Sequence, residues 1–352
     1  MKGNIIGFMD KTLQYFEQIL QIPSPSRDEG RMIAFLEEFF GNLGYQKRKD
    51  EWGNMLFYTD SDGEKILFSA HMDTVPPAVN PHVVKTEDGY VTDGTTALGA
   101  DDKAAIAVMM RLAEDKPKNV VFLFSIAEEI GLFGAGKLRK EFFEGFNIPY
   151  SYVLDAENPV GDMITRAPGK TRITLTFHGK SAHAGFRIEE GINAIELASE
   201  FVTKLEKGRF EDGSTLNIGS FMAPGTTNVV PEKAELVMEM RAVDNERLLE
   251  IERNTTELAR KINPEVDIKV EHLYYGYDLL PSSPIIRYSR NKVPNLKITS
   301  TMGGSDASHL NNLGLPAVVL SIGYLGAHSH QERIAKAEFI KLSLLVRNLL
   351  RN

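Results

Sequence analysis

The sequence predicts an α/β protein: a mixed, mostly parallel sheet with helices packed on it, interrupted by a smaller α+β domain. Three observations carry that expectation. Apolar, β-rich runs alternate with helical patterns over the first 167 residues, the rhythm of a largely parallel sheet. From Pro168 to Tyr277 the order becomes βαββαβ, that of a ferredoxin-like sandwich. Beyond it the α/β alternation resumes, so the domains expected are 1–167 with 278–352, and an inserted 168–277.

Taken in order, the first twenty residues read as an amphipathic helix with charges inside it. Ser26 and Glu29 have capping-box spacing, predicting a helix to about Leu43 that stops at Gly44. Two strands between Gln46 and Tyr58, turning at Gly53 and Asn54, lead to a strand that ends in His71. Val83 to Thr92 reads as a hairpin and Asp102 to Ala113 as a helix. The run from Asn119 to Ile126 is apolar enough to be buried on both faces, and Glu128 and Glu129 follow it. The segment YSYVLDAEN then carries Asp155 to another strand end. In the inserted domain, TRITLTFHG, STLNIGSFMA, AELVMEMRA and DIKVEHLYY are strands, with helices over Gly191–Leu205 and Asp244–Ile262. The last part holds LKITS, a helix from about Ala307, the strand PAVVLSIG, and a C-terminal helix from Arg333. The loop GYLGAHSHQE joins the last two and contains His328 and His330.

Composition narrows the function classes. With 40 basic against 48 acidic residues the net charge is −8, and no basic block suits a nucleic-acid or anionic-membrane partner. There is no Cys, hence no disulfide framework, thiolate ligand or thiol nucleophile; any metal must be held by His, Asp and Glu. The N-terminus lacks the uninterrupted apolar core of a signal peptide, and no apolar run approaches the ~20 residues that span a bilayer. A cytoplasmic address is expected.

Each candidate site residue has an ordinary reading. His71 and Asp73 could be a polar strand end; Asp101 with Asp102, or Glu128 with Glu129, could be acidic residues favoured at a helix start. Asp155 could cap a turn, and His328 could be a solvated loop residue. All of them, however, fall at predicted carboxyl ends of strands or in adjoining loops, on one edge of one sheet, where open α/β sheets place their sites. Imidazoles and carboxylates gathered there suit zinc-type cations, and hydrolysis needs a Lewis acid, an activated water and a carboxylate that moves the proton. A magnesium phosphotransferase reading of DGTT at Asp93 fails, because the nucleophilic Asp expected two residues before DGT is Val91.

The motifs HMDTVPP, GADDKAA, AEEIG, LDAE, GKSAHAG, GGSDAS and AHSHQE, in that order, resemble the peptidase T branch of the dinuclear zinc exopeptidases. That superfamily also includes carboxypeptidase G, aminoacylase and succinyl-diaminopimelate desuccinylase. The resemblance covers nearly the whole chain and implies a catalytic domain with an inserted lid and dimerisation domain. It implies two Zn2+ per chain, with Co2+ or Mn2+ as substitutes. His71 and Asp155 would hold one ion, Glu129 and His328 the other, and Asp101, followed by a cis peptide bond, would bridge them. His330 is the alternative to His328. Asp73 would orient His71, and Glu128 would be the base that activates a metal-bridging water. In the lid, His183 would stabilise the oxyanion, Asn228 and Arg241 would bind the substrate carboxylate, and Gly304, with Gly303, would admit the substrate close to the backbone. His82, His178, His272 and His309 match no ligand position.

The activity implied is release of the N-terminal residue from short peptides, tripeptide aminopeptidase chemistry. Asp rather than Glu at position 155 favours that branch, while Glu157 two positions on leaves the alignment open. An N-acyl amino-acid deacylase, a related amidohydrolase or a carboxypeptidase would use the same metals and base. A short peptide is the expected substrate, and a homodimer through the lid the expected assembly.

Overall fold

The structure, a computed structural model, describes residues 2–351. The chain forms two compact units, Met1–Arg166 with Leu279–Asn352, and Ala167–Asp278.

The first unit is built on a mixed sheet. Its strands run in the order Gln46–Lys49, Met55–Tyr58, Val120–Ser125, Glu64–His71, Asn147–Ala156, Ala317–Ser321 and Asp162–Ala167, with Lys297–Ser300 beside the last. The four strands from Val120–Ser125 to Ala317–Ser321 pair in parallel. Their apolar runs are buried throughout, as both-face coverage requires: Val120–Ser125 has no exposed residue. On one helix packed against the sheet, Gly30–Asn42, Phe40 stacks on Phe57 and meets Phe122 and Phe124 edge-on or tilted. That helix ends where Gly44 takes φ +80, a conformation that favours glycine. Helix Lys2–Leu20 packs on helix Ala100–Glu114, and the C-terminal helix Lys336–Leu350 packs on both.

Three expectations change. Ser26 does not cap the helix that follows; its hydroxyl donates to Asp73 Oδ2 at 2.6 Å, and Glu29 stands at the cap position without a side-chain cap bond. The C-terminal helix starts at Lys336 rather than Arg333, because Arg333–Ala335 is extended and pairs with Gly89 and Tyr90. That pairing joins the hairpin Val83–Lys85 and Gly89–Thr92 to Tyr324–Leu325 in a small antiparallel sheet, so His328 lies in a hairpin loop. Helix Pro284–Lys292 and strand Asp162–Ala167 are additional elements.

The second unit is an antiparallel sheet with two helices on it. Strand order is Gly208–Arg209, Thr215–Met222, Lys233–Ala242, Gly169–His178 and Asp267–Tyr274. Alternate residues point inward, Ile173, Leu175 and Phe177 from one strand and Leu236, Met238 and Met240 from its neighbour. Helices Ala194–Lys204 and Asn245–Ile262 cover that face; Asn193 and Asp244 cap them by accepting the N–H of Ile195 and Glu246.

Candidate metal centre

Parallel pairing in register puts His71 beside Ser125, so the loops leaving Glu64–His71, Val120–Ser125 and Asn147–Ala156 emerge on one edge. These loops supply Asp73, Glu128 and Glu129, while Asp155 lies at the end of its own strand. Asp101 arrives at the start of helix Ala100–Glu114, where Asp101 and Asp102 are non-helical and the peptide bond between them is cis. His328 comes from the hairpin loop with φ +60.

The atoms that meet there have the spacing of a ligand set. His71 Nε2 lies 3.1 Å from Asp101 Oδ1 and 3.7 Å from Asp155 Oδ1. On the other side, His328 Nε2 lies 3.2 Å from Asp101 Oδ2 and 2.9 Å from Glu129 Oε2. With bonds of about 2.0 Å, tetrahedral ligands sit about 3.3 Å apart, so these separations suit cations as well as hydrogen bonds. Asp101 therefore turns one oxygen toward each imidazole. Two groups could hold an ion by proximity alone: His71, Asp101 and Glu129, and His71, Asp102 and Asp155. Glu129 Oε1 and Asp102 Oδ1 are buried and accept no hydrogen bond, as lone pairs awaiting a cation would be. His330 is exposed, and its carbonyl accepts from Thr92.

Backbone donors fix the shell around these atoms. The buried Asp73 accepts the N–H of Glu128 at 2.9 Å and of Glu129 at 3.2 Å, and its Oδ1 lies 3.3 Å from His71 Nδ1. The Nδ1 atom also lies 2.9 Å from the Asp73 carbonyl oxygen, an arrangement that leaves Nε2 facing the carboxylates. Glu29 accepts the N–H of Ala127, and Asp102 that of His71. Tyr324 Oη donates to the Asp155 carbonyl.

Crowded carboxylates dominate the electrostatics. Burial, followed by the charge of Asp155, holds Glu128 well above the usual carboxylate range, and burial does the same for Asp155. Burial opposes ionisation of Asp101 too, but bonds from His328 and His71 outweigh it and lower the group to about 2. His328 is pushed up to about 11 by its bonds to Asp101 and Glu129. Divalent ions, held with neutral imidazoles as ligands, would supply the positive charge that offsets these carboxylates.

Sequence reasoning assigned no role to three further groups. Asp306, from GGSDAS, is buried; its Oδ2 accepts from Ser125 Oγ, its Oδ1 is unpartnered, and burial lifts it to about 6. Asp102 was legible only as half of an acidic pair. Glu332 is the last residue of the loop GYLGAHSHQE, and its buried carboxylate accepts three backbone N–H groups.

The substrate-binding candidates divide between the units. His183 and Asn228 belong to the second unit and are exposed. Their segments are joined, since His183 bridges Val229 and the Ala184 N–H donates to the Asn228 carbonyl. The Gly185 N–H donates to His183 Nδ1 at 3.1 Å, which assigns the ring proton of a neutral His183 to Nε2. Arg241 is half-buried and pairs with Glu239 at 2.7 Å. Gly304 belongs to the first unit, in the turn before Asp306; there the neighbouring Gly303 N–H donates to Thr301 Oγ1.

Known proteins share this architecture and chain length. The peptidase dimerisation domain matches residues 166–267, and peptidase family M28 matches residues 56–199. The YqjE protein of Bacillus subtilis (strain 168) is 30% identical, the match covering 96% of each chain. The chain belongs to the peptidase T-like branch of the metal-dependent exopeptidases. Peptidase T of Listeria innocua is 26% identical over 97% of this chain and 86% of that protein. Among solved structures, aminopeptidase PepT from Bacillus cereus superposes with a TM-score of 0.87 at 28% identity, covering 97% of this chain and 98% of that one. A Staphylococcus aureus tripeptidase gives 0.88 at 28% identity, with 97% of each covered. No described helix is long and apolar enough to cross a membrane.

Proposed function

We propose that this peptidase T-like metallopeptidase removes the N-terminal residue from short peptides, tripeptides foremost, with two divalent cations, zinc in the first place. The observation that carries the reading is Asp101, whose two oxygens face His71 and His328 separately at 3.1 and 3.2 Å. His71 and Asp155 would hold one cation, His328 and Glu129 the other, and Asp101 both. The relatives described as aminopeptidase and tripeptidase support the substrate class.

Bound divalent cations supply Lewis acidity, polarising a carbonyl oxygen and lowering the pKa of water. The chain's own groups do the rest. Glu128 lies in a carboxylate-rich, buried setting that raises its proton affinity, which suits a base that takes a proton from the attacking water and delivers it to the leaving amine. Asp73 accepts the N–H groups of both Glu128 and Glu129, so one buried carboxylate holds the backbone of base and ligand. His183, with its proton on Nε2, has a donor free of the Gly185 contact to offer a developing oxyanion. Arg241 and Asn228 would receive the peptide carboxylate. The dimerisation-domain match supports a homodimer, which light scattering on the purified protein would test.

The deciding experiment offers zinc- or cobalt-loaded protein a free tripeptide and its N-acetylated counterpart. Release of the first residue from the free peptide alone is expected. Cleavage of only the blocked compound would instead make the protein an N-acyl amino-acid deacylase.

A further inference from the structure

Glu332 sits four residues beyond His328, 1% exposed, at the far end of the hairpin loop. Its carboxylate is taken up by backbone N–H groups. Its Oε2 accepts the N–H of Leu98 and Gly99, both at 2.8 Å, and its Oε1 accepts the N–H of Asp101 at 3.1 Å. These are donors at the entry to helix Ala100–Glu114, which has no capping side chain of its own. Gly99 takes φ +74 there, and a Cβ on it would come within 3.3 Å of the Ala78 Cβ, so the turn that presents the three donors is tightly defined. The buried carboxylate is offset by that helix terminus and by the buried Lys103 nearby.

The consequence is mechanical. Asp101 and His328 are more than 220 residues apart in sequence, yet one side chain ties the backbone of the first to the loop of the second. We propose that Glu332 is a positioning residue for the metal centre: by bonding the Asp101 N–H it sets where the shared carboxylate stands relative to His328, and so whether both cations can be held together. The inference rests on the dinuclear reading above.

Two features distinguish Glu332 from a carboxylate that merely stabilises the fold. Its bond to Asp101 is at the candidate bridge itself, and it is carried by the same short loop as His328. Glu332→Gln should therefore disturb metal binding beyond any loss of stability, because an amide nitrogen would confront one or more of the three N–H donors.

The test is a cobalt titration of metal-free wild-type and E332Q protein, followed by calorimetry and visible absorption, with circular dichroism to verify folding. Wild type should bind two cations per chain. E332Q should bind them about 10- to 100-fold more weakly, with an altered cobalt spectrum, the range seen when groups supporting metal ligands are changed. A lower melting temperature with wild-type cobalt affinity and spectrum would overturn the positioning role. Failure of wild type to bind two cations would overturn the dinuclear reading itself, and with it this inference. Should E332Q not fold, hydrogen exchange on wild type decides: amides of 98–101 and of 328–332 should gain protection together as cobalt is added. Protection of one segment without the other would refute the coupling.

Discussion

The two units hold their candidate residues in opposite ways. In the first, His71, Asp73, Asp101 and Asp102 are buried, Glu128, Glu129 and Asp155 are half-buried and His328 alone of the candidate ligands is exposed, while backbone N–H groups hold the carboxylates of Asp73, Asp102, Glu29 and Glu332. In the second, His183 and Asn228 stand exposed on joined loops, and Arg241 is occupied by Glu239. The contrast teaches which part of the chemistry is preorganised. A cation site requires fixed, desolvated donors before the ion arrives, whereas groups that meet a substrate can remain solvated until it binds.

Perturbations should grade accordingly. Chelation should abolish turnover and lower the melting temperature; at a free zinc concentration 100 times the dissociation constant, reloading restores about 2.7 kcal/mol for each ion bound, measurable by differential scanning fluorimetry. Glu128→Ala should lower kcat about 10²- to 10⁴-fold while metal analysis still finds two ions per chain; retained turnover would assign the base elsewhere. His183→Ala should cost about 10²-fold in kcat and leave cobalt binding untouched, which steady-state kinetics paired with calorimetry can separate. Arg241→Ala should act chiefly on KM, by about tenfold, and change stability by less than about 1 kcal/mol, because the Glu239 pair is partly solvated.

The last test concerns acid stability rather than turnover. Burial lowers His309 from 6.5 to about 4, so between those values the unfolded chain binds a proton that the folded chain refuses. Its contribution is present above pH 6.5 and is lost as pH falls toward 4. Metal-free His309→Gln should therefore show a shallower acid limb in urea melts across that window; an unchanged limb would remove His309 from the account.

Much of this was legible in local pattern. Alternating apolar runs announced the α/β class, and the inward alternation of Ile173, Leu175 and Phe177 announced the sandwich. His71, Glu129, Asp155, Asp101 and His328 stood out because strand ends and adjoining loops on one sheet edge concentrate polar groups. What local pattern hides is partnership across the chain. Arg333–Ala335 adjoins a helical pattern but is drawn into a sheet by Gly89 and Tyr90, 244 or more positions earlier. Ser26 has the spacing of a cap, yet the buried Asp73 makes a stronger claim on its hydroxyl. Glu332 looks like an ordinary loop carboxylate until the entry to helix Ala100–Glu114 is seen against it.

The most direct test of the account is anomalous diffraction at the zinc edge from crystals of the loaded protein. Two peaks are predicted, one in contact with His71 and Asp155, one with His328 and Glu129, and both with Asp101. A single peak held by His71, Asp102 and Asp155, with nothing beside His328, would contradict it.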